Sequence, residues 1–180
     1  MFKKAFIFST VLTAVIVMAV STQIFSYPGG APVGKTGSPG DASNCTSCHD
    51  ATMRKVDNHI TSDAVNNVYT PGQTYTITAK MSGVETVKRI GFEVSPQNVA
   101  GKLLGTLTLT DAEKTQLLDK GKYITHTNKG SLVTGGMGSW TFKWTAPAAG
   151  AGDVVFYGSF LVGSKPQVVY TTSYTLKEKK

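Results

Sequence analysis

The stretch Thr70-Pro71-Gly72-Gln73-Thr74-Tyr75-Thr76-Ile77-Thr78-Ala79-Lys80-Met81 decides the fold class. Pro beside Gly makes a turn. From there Tyr75, Ile77, Ala79 and Met81 alternate with Thr74, Thr76, Thr78 and Lys80. A period of two is that of a half-buried strand, because successive side chains point to opposite faces. The same period recurs along the chain. Ile90, Phe92 and Val94 alternate with Arg89, Gly91 and Glu93, and Leu103, Leu107 and Leu109 share a register with Gly105. Tyr123-Ile124-Thr125-His126-Thr127 is a further strand, and Trp140, Phe142 and Trp144 alternate with Thr141 and Lys143. After the turn Ala146-Pro147-Ala148-Ala149-Gly150, the run from Val154 to Val162 is apolar on both faces, which marks a central strand. A last strand runs from Val168 to Leu176. About seven or eight short strands separated by Gly/Pro turns predict an all-β sandwich over residues 68–176.

Two helical segments are expected besides. Thr110-Asp111-Ala112-Glu113 reads as a capping box, with Leu117 and Leu118 as the apolar side of the helix and Gly121 at its end. Met53, Val56 and Ile60 stand near helical spacing, so a short helix is expected between Asp50 and Asn67.

The chain begins with Lys3 and Lys4 ahead of an uncharged apolar run from Ala5 to Val20, the pattern of a secretory signal. The run is shorter than the roughly 20 apolar residues that cross a bilayer. Cleavage after Ser26 is expected, giving an exported protein, periplasmic or extracellular, with no stable membrane span afterwards. The organisation is then a signal segment 1–26, a Gly/Pro-rich arm and Cys segment 27–67, the sandwich 68–176 and a basic tail 177–180. The net charge of +7 falls to about +5 once Lys3 and Lys4 are lost. That balance allows docking on acidic partner proteins or cell-surface polymers. It does not argue for nucleic acid, because the basic residues are scattered and carry no recognition motif.

The two cysteines, Cys45 and Cys48, stand three residues apart in Asn44-Cys45-Thr46-Ser47-Cys48-His49, so they do not staple the fold as a disulfide framework would. Cys-x-x-Cys-His is the attachment signature of haem c. The two thiols add to the vinyl groups of the porphyrin and the adjacent imidazole reaches the iron. Such attachment follows export in bacteria, in agreement with the signal. Redox-disulfide and zinc readings are weaker. The first wants strands interleaved with helices, and the second needs two further ligands from the chain's three histidines.

For the other face of the iron the candidates are His59, His126, Met53, Met81 and Met137. Met81 falls on the apolar face of its strand and reads as core. Met53 is too close to Cys48 to round the porphyrin edge, and His59 sits in a segment that can stay exposed. His126, near a strand end where a loop begins, ranks first. Met137, in the flexible Gly135-Gly136-Met137-Gly138, is the alternative, and an open sixth position comes third.

The segments Gly37-Ser38-Pro39-Gly40-Asp41, Cys45-Thr46-Ser47-Cys48-His49, Tyr69-Thr70-Pro71-Gly72-Gln73-Thr74-Tyr75, Gly91-Phe92, His126-Thr127 and Phe142-Lys143-Trp144-Thr145-Ala146-Pro147 together resemble the bacterial relatives of the Reelin-type (Reeler) domain, also described as choice-of-anchor V. The resemblance covers nearly the whole mature chain. It implies an immunoglobulin-like β-sandwich, secreted or at the cell surface, in several bacterial members preceded by a Cys-x-x-Cys-His motif. It also implies that His126, in a His-Thr pair seen in Reeler domains without the motif, can serve the fold.

The expected function is that of an exported monohaem c-type cytochrome, passing single electrons between redox partner proteins. No catalytic dyad, acidic pair or phosphate-cradling loop points to an enzyme. The alternatives are a cell-surface or matrix-binding sandwich with a structural haem, and a haem sensor with an open coordination position.

Overall fold

A computed structural model describes residues 27–180 except Val84 and Ser164; the signal segment and its cleavage site lie outside the described residues. Eleven strands follow in chain order: β1 (Ala51–Lys55), β2 (Ile60–Ser62), β3 (Val68–Tyr69), β4 (Thr74–Ser82), β5 (Ile90–Gln97), β6 (Thr106–Leu109), β7 (Thr115–Leu118), β8 (Tyr123–His126), β9 (Met137–Thr145), β10 (Val154–Val162) and β11 (Gln167–Glu178). A single turn of α-helix, α1 (Asn128–Ser131), joins β8 to β9. The larger sheet has the order β1-β11-β10-β5-β8-β7, with β3 added beside β11, and the smaller one has the order β2-β4-β9-β6. The expected β-sandwich is the fold.

The alternating strands supply the core as their period requires. Ile77, Ala79 and Met81 of β4 and Trp140, Phe142 and Trp144 of β9 are buried against Phe92 and Val94 of β5 and Phe156 and Phe160 of β10. Phe92 lies 4.5 Å from Trp140, centroid to centroid, and Tyr69 meets Trp144 edge-on at 5.4 Å. Burying each such side chain stabilises the fold by about 1.5–3 kcal/mol. Met81 is core, 2% exposed. The run 154–162 is central, between β5 and β11.

Both expected helices are strands instead. Thr110 donates its hydroxyl to the Thr141 carbonyl rather than capping a helix, and the Asp111 carboxylate takes the N–H groups of Glu113 and Lys114 in a local turn. Beyond that turn, Thr115–Leu118 is β7 and pairs with β8, Leu117 opposite Ile124. The apolar pair Leu117-Leu118 is served by strand partners, and a three-residue 3-10 turn, Asp119–Gly121, is all the helix that remains. Near the cysteines, Ala51–Lys55 lies parallel to the start of β11, Ala51 opposite Gln167 and Lys55 opposite Thr171. The open edge of β11 gives this segment backbone partners that a short, exposed helix would lack.

Alternation fails to describe the outer face of the large sheet. Glu93, Ser95 and Gln97 of β5, Thr125 of β8 and Ser159 of β10 would all face water, yet each is at most 1% exposed. The cover is the Gly/Pro-rich arm, residues 27–44. Its Ala31 N–H reaches Thr125 Oγ1 at 3.1 Å, its Lys35 N–H reaches the Glu93 carboxylate, and its Asp41 Oδ1 accepts from the Tyr123 hydroxyl at 2.7 Å. Gly40 passes so near Gly101 that a Cβ on it would stand 2.9 Å from the Gly101 Cα, which explains a glycine at that point of the arm.

Candidate functional site

The cysteine motif forms a 3-10 turn, Cys45–Ser47, entered through Asn44, whose side-chain oxygen accepts the Thr46 N–H at 2.8 Å. Cys48 and His49 then donate their N–H groups to the Cys45 carbonyl at 3.3 and 3.1 Å. One tight turn therefore sets Cys48 three residues on from Cys45, on the same side, with His49 next to it. Cys45 is buried. Its N–H reaches Ser159 Oγ at 3.4 Å, and that hydroxyl donates to Cys45 Sγ at 3.2 Å. Burial pushes the Cys45 thiol up to about 11, so it stays protonated at neutral pH. Cys48 is exposed and His49 half-buried.

These three residues line a cleft of about 800 Å³, counting space open to solvent, between the arm and the outer face of the large sheet. Tyr27, Pro28 and Pro32 of the arm form one wall, and Gly91 and Leu161 of the sheet form another. His126 closes an end, its ring laid over Gly91, where a Cβ would stand 2.8 Å from His126 Cε1. Two cations border the space. Lys35 Nζ donates to Ser43 Oγ at 3.0 Å, and Arg89 is steadied on α1 by the Asn128 side chain at 2.9 Å and the Ser131 hydroxyl.

The Reeler domain family model matches residues 41–178. The chain belongs to the Reeler domain family. Among solved structures, the Reelin-N domain of F-spondin aligns with a TM-score of 0.56 at 22% identity, over 72% of this chain and 93% of that one. The human F-spondin reeler domain gives 0.55 at 21% identity, over 72% and 95%. No curated protein matches the chain in sequence. The matched region of this Reeler domain begins at Asp41, so Tyr27, Pro28, Pro32 and Lys35 come from chain ahead of it, and the cleft lies where arm meets domain.

The other residues expected around the iron are placed differently. His126 enters the cleft, 5% exposed, but its Nδ1 receives the Phe92 N–H at 3.0 Å. Thr125 Oγ1, also near Nδ1, donates to the Phe92 carbonyl. The Phe92 carbonyl also stands 3.2 Å from Nδ1, and the imidazole's further backbone partner is Tyr27. Burial holds the ring below its usual range, in the neutral form. In this arrangement the ring is engaged by backbone groups of β5 and of the arm, and His126 ties the two together. Met137 is 67% exposed at the start of β9 and does not line the cleft. Met53 lies beside Asn44, 55% exposed, and His59 bonds the Lys80 carbonyl at 2.8 Å; both stand outside it. Among the described residues no group of three His, Cys, Asp or Glu side chains is gathered as an all-protein metal site, so the zinc reading has no ligand set.

Lys35, Arg89, Ser159 and Tyr27 were not singled out by the sequence, and Gly91 only within the Gly91-Phe92 segment of the resemblance. Gly91 had a signal of sorts, a glycine interrupting a strand, which marks close approach of another group. The rest are brought together by the arm alone.

Proposed function

We propose that this Reeler domain protein carries one haem c, bonded through Cys45 and Cys48 with His49 on the iron, and presents it for single-electron exchange outside the cytoplasm. One observation carries the reading: the whole attachment motif lines the cleft under the arm, with apolar walls and two cations at its border. The residues suit the group. Each thiol adds its S–H across a vinyl double bond, which forms a C–S bond and leaves no product to expel. The protonated Cys45 thiol, held by Ser159, keeps the hydrogen this addition requires. Pro28, Pro32 and Leu161 offer apolar walls to the macrocycle, and Lys35 and Arg89 offer charge to its two carboxylates. The bound group supplies a one-electron iron couple. His126, buried and neutral, keeps the arm closed and water out.

The test is expression of the full chain, signal included, with a haem c maturation system. A haem band that survives denaturation and vanishes in Cys45→Ala/Cys48→Ala is expected, together with rapid, reversible reduction by small redox mediators. A colourless protein overturns the proposal.

The fold supports a second reading, an adhesive or matrix-binding module at the cell surface, because the family match spans the sandwich and not the cleft's arm wall. A haem protein that exchanges electrons only sluggishly with mediators and partners would favour it. Among the described residues no helix is long and apolar enough to cross a membrane.

A further inference from the structure

We infer that the α-amino group of Tyr27, released when the signal segment is cut after Ser26, is the second nitrogen ligand of the iron. The inference rests on the haem reading above and on the cleavage site expected from the sequence. Cleavage consumes one water, breaks the Ser26–Tyr27 amide and leaves a carboxylate on Ser26 and an amine on Tyr27. An α-amine, with a pKa of about 8, gives up its proton more readily than a lysine. Its lone pair is then available to a metal near neutral pH.

Placement carries the argument. Tyr27 lines the same cleft as Cys45, Cys48 and His49. New chain ends commonly fray, yet the residues that begin the mature chain are held one after another. Gly30 N–H closes a turn on the Tyr27 carbonyl at 3.2 Å, and Tyr27 is the backbone partner of the buried His126 ring. Gln116 Nε2 donates to the Gly29 carbonyl, and Ala31 N–H reaches Thr125 Oγ1. Gly30, at φ +136°, runs so close to β8 that a Cβ would stand 3.1 Å from the His126 carbonyl oxygen, so the segment lies directly on the strand. Pro28 biases Tyr27 toward extended backbone, which narrows the directions its amine can take. The competitors fare worse. Met53 and Met137 are outside the cleft, the His126 ring is engaged by backbone groups, and Lys35 Nζ is held by Ser43.

The experiment uses the mature holoprotein and three variants: two alanines inserted between Ser26 and Tyr27, Met53→Ala and Met137→Ala. Intact mass reports haem attachment and the identity of the first residue, optical and EPR spectra report ligation, and acylation at neutral pH reports whether the α-amine is free. The expected result is a chain starting at Tyr27, low-spin, with its α-amine protected from acylation. The extended variant loses that spectrum and that protection, while Met53→Ala and Met137→Ala keep both. A low-spin spectrum unchanged in the extended variant overturns this inference and leaves the haem reading standing, as does loss of the spectrum only in Met53→Ala or Met137→Ala. A protein that starts elsewhere than Tyr27, or whose α-amine acylates freely, overturns it too. A product without covalent haem overturns both.

Discussion

The Ser159 hydroxyl donates to the Cys45 sulfur at 3.2 Å while receiving the Cys45 N–H at 3.4 Å, so one side chain in the middle of β10 holds both ends of the first cysteine of the motif. The contact ties the attachment segment to the sheet, 114 residues away in sequence. It also sets the two cysteines apart chemically. Cys45, protonated up to about pH 11, is a poor nucleophile, whereas Cys48 is open to solvent. In protein made without haem, iodoacetamide at pH 8 is expected to label Cys48 first by a wide margin. Peptide mass mapping of short labelling times checks it, and equal labelling would show that the turn does not sit on Ser159.

Glu93 is fully buried, and burial pushes its carboxyl up to about 7 against the partial relief of the Lys35 and Gly34 N–H groups. Its Oε1 has no hydrogen-bond partner. A carboxyl whose folded pKa exceeds the unfolded value binds more protons when folded, so its contribution to stability falls as pH rises from about 4.5 to 7. The loss is at most about 3 kcal/mol above that window. Urea unfolding at pH 5 and pH 7.5 should therefore show the protein more stable at pH 5 with respect to this group, and Glu93→Gln should flatten the difference. An unchanged slope in the variant would assign the pH dependence elsewhere.

Asp41 is the hinge pin of the arm. It accepts from Tyr123 at 2.7 Å, from the Thr36 N–H at 3.2 Å and from the Thr36 hydroxyl. Asp41→Ala leaves these donors unpaired, at a cost of about 1–3 kcal/mol. Because the sandwich core does not touch this cluster, the change should appear first as proteolytic cutting within residues 28–44, before any loss of β-sheet circular dichroism.

Trp144 tests the core. It is completely buried and its Nε1 donates to the Leu104 carbonyl at 3.0 Å. Trp144→Phe removes the donor and part of the volume, and a loss of about 2–4 kcal/mol is expected from the cavity and the unpaired carbonyl together. Chemical denaturation measures it; a loss below about 1 kcal/mol would mean that the site collapses around the smaller ring.

The strands were legible wherever one face meets the core and the other meets water, as at Tyr75 to Met81 and Trp140 to Trp144, because period two is then written directly in polarity. The reading failed where a non-local partner changes the rule. Thr110 to Glu113 has the residues of a capping box, but Leu117 has Ile124 across from it, and a ladder of strand hydrogen bonds outweighs a local cap. Met53, Val56 and Ile60 were spaced for a helix, yet the free edge of β11 takes the segment around Met53 as a strand. Glu93, Ser95 and Gln97 looked solvent-facing because nothing in their neighbourhood announces an arm from residues 27–44.

The sequence by itself determined the all-β class and the Cys45, Cys48, His49 motif, since periodicity and residue spacing are local properties that survive without any neighbour. Tertiary structure alone decided what the motif faces. The arm folds back over a polar sheet face, buries Glu93 and Ser159, and brings Tyr27, Lys35, Arg89 and His126 around one cleft. The cause is that an extended, Gly/Pro-rich arm has no core of its own and, beside its local turns, it and the cysteine turn after it anchor backbone groups on distant side chains, Thr125, Glu93 and Ser159. Those partners lie 58 to 114 residues away, beyond the reach of any local pattern.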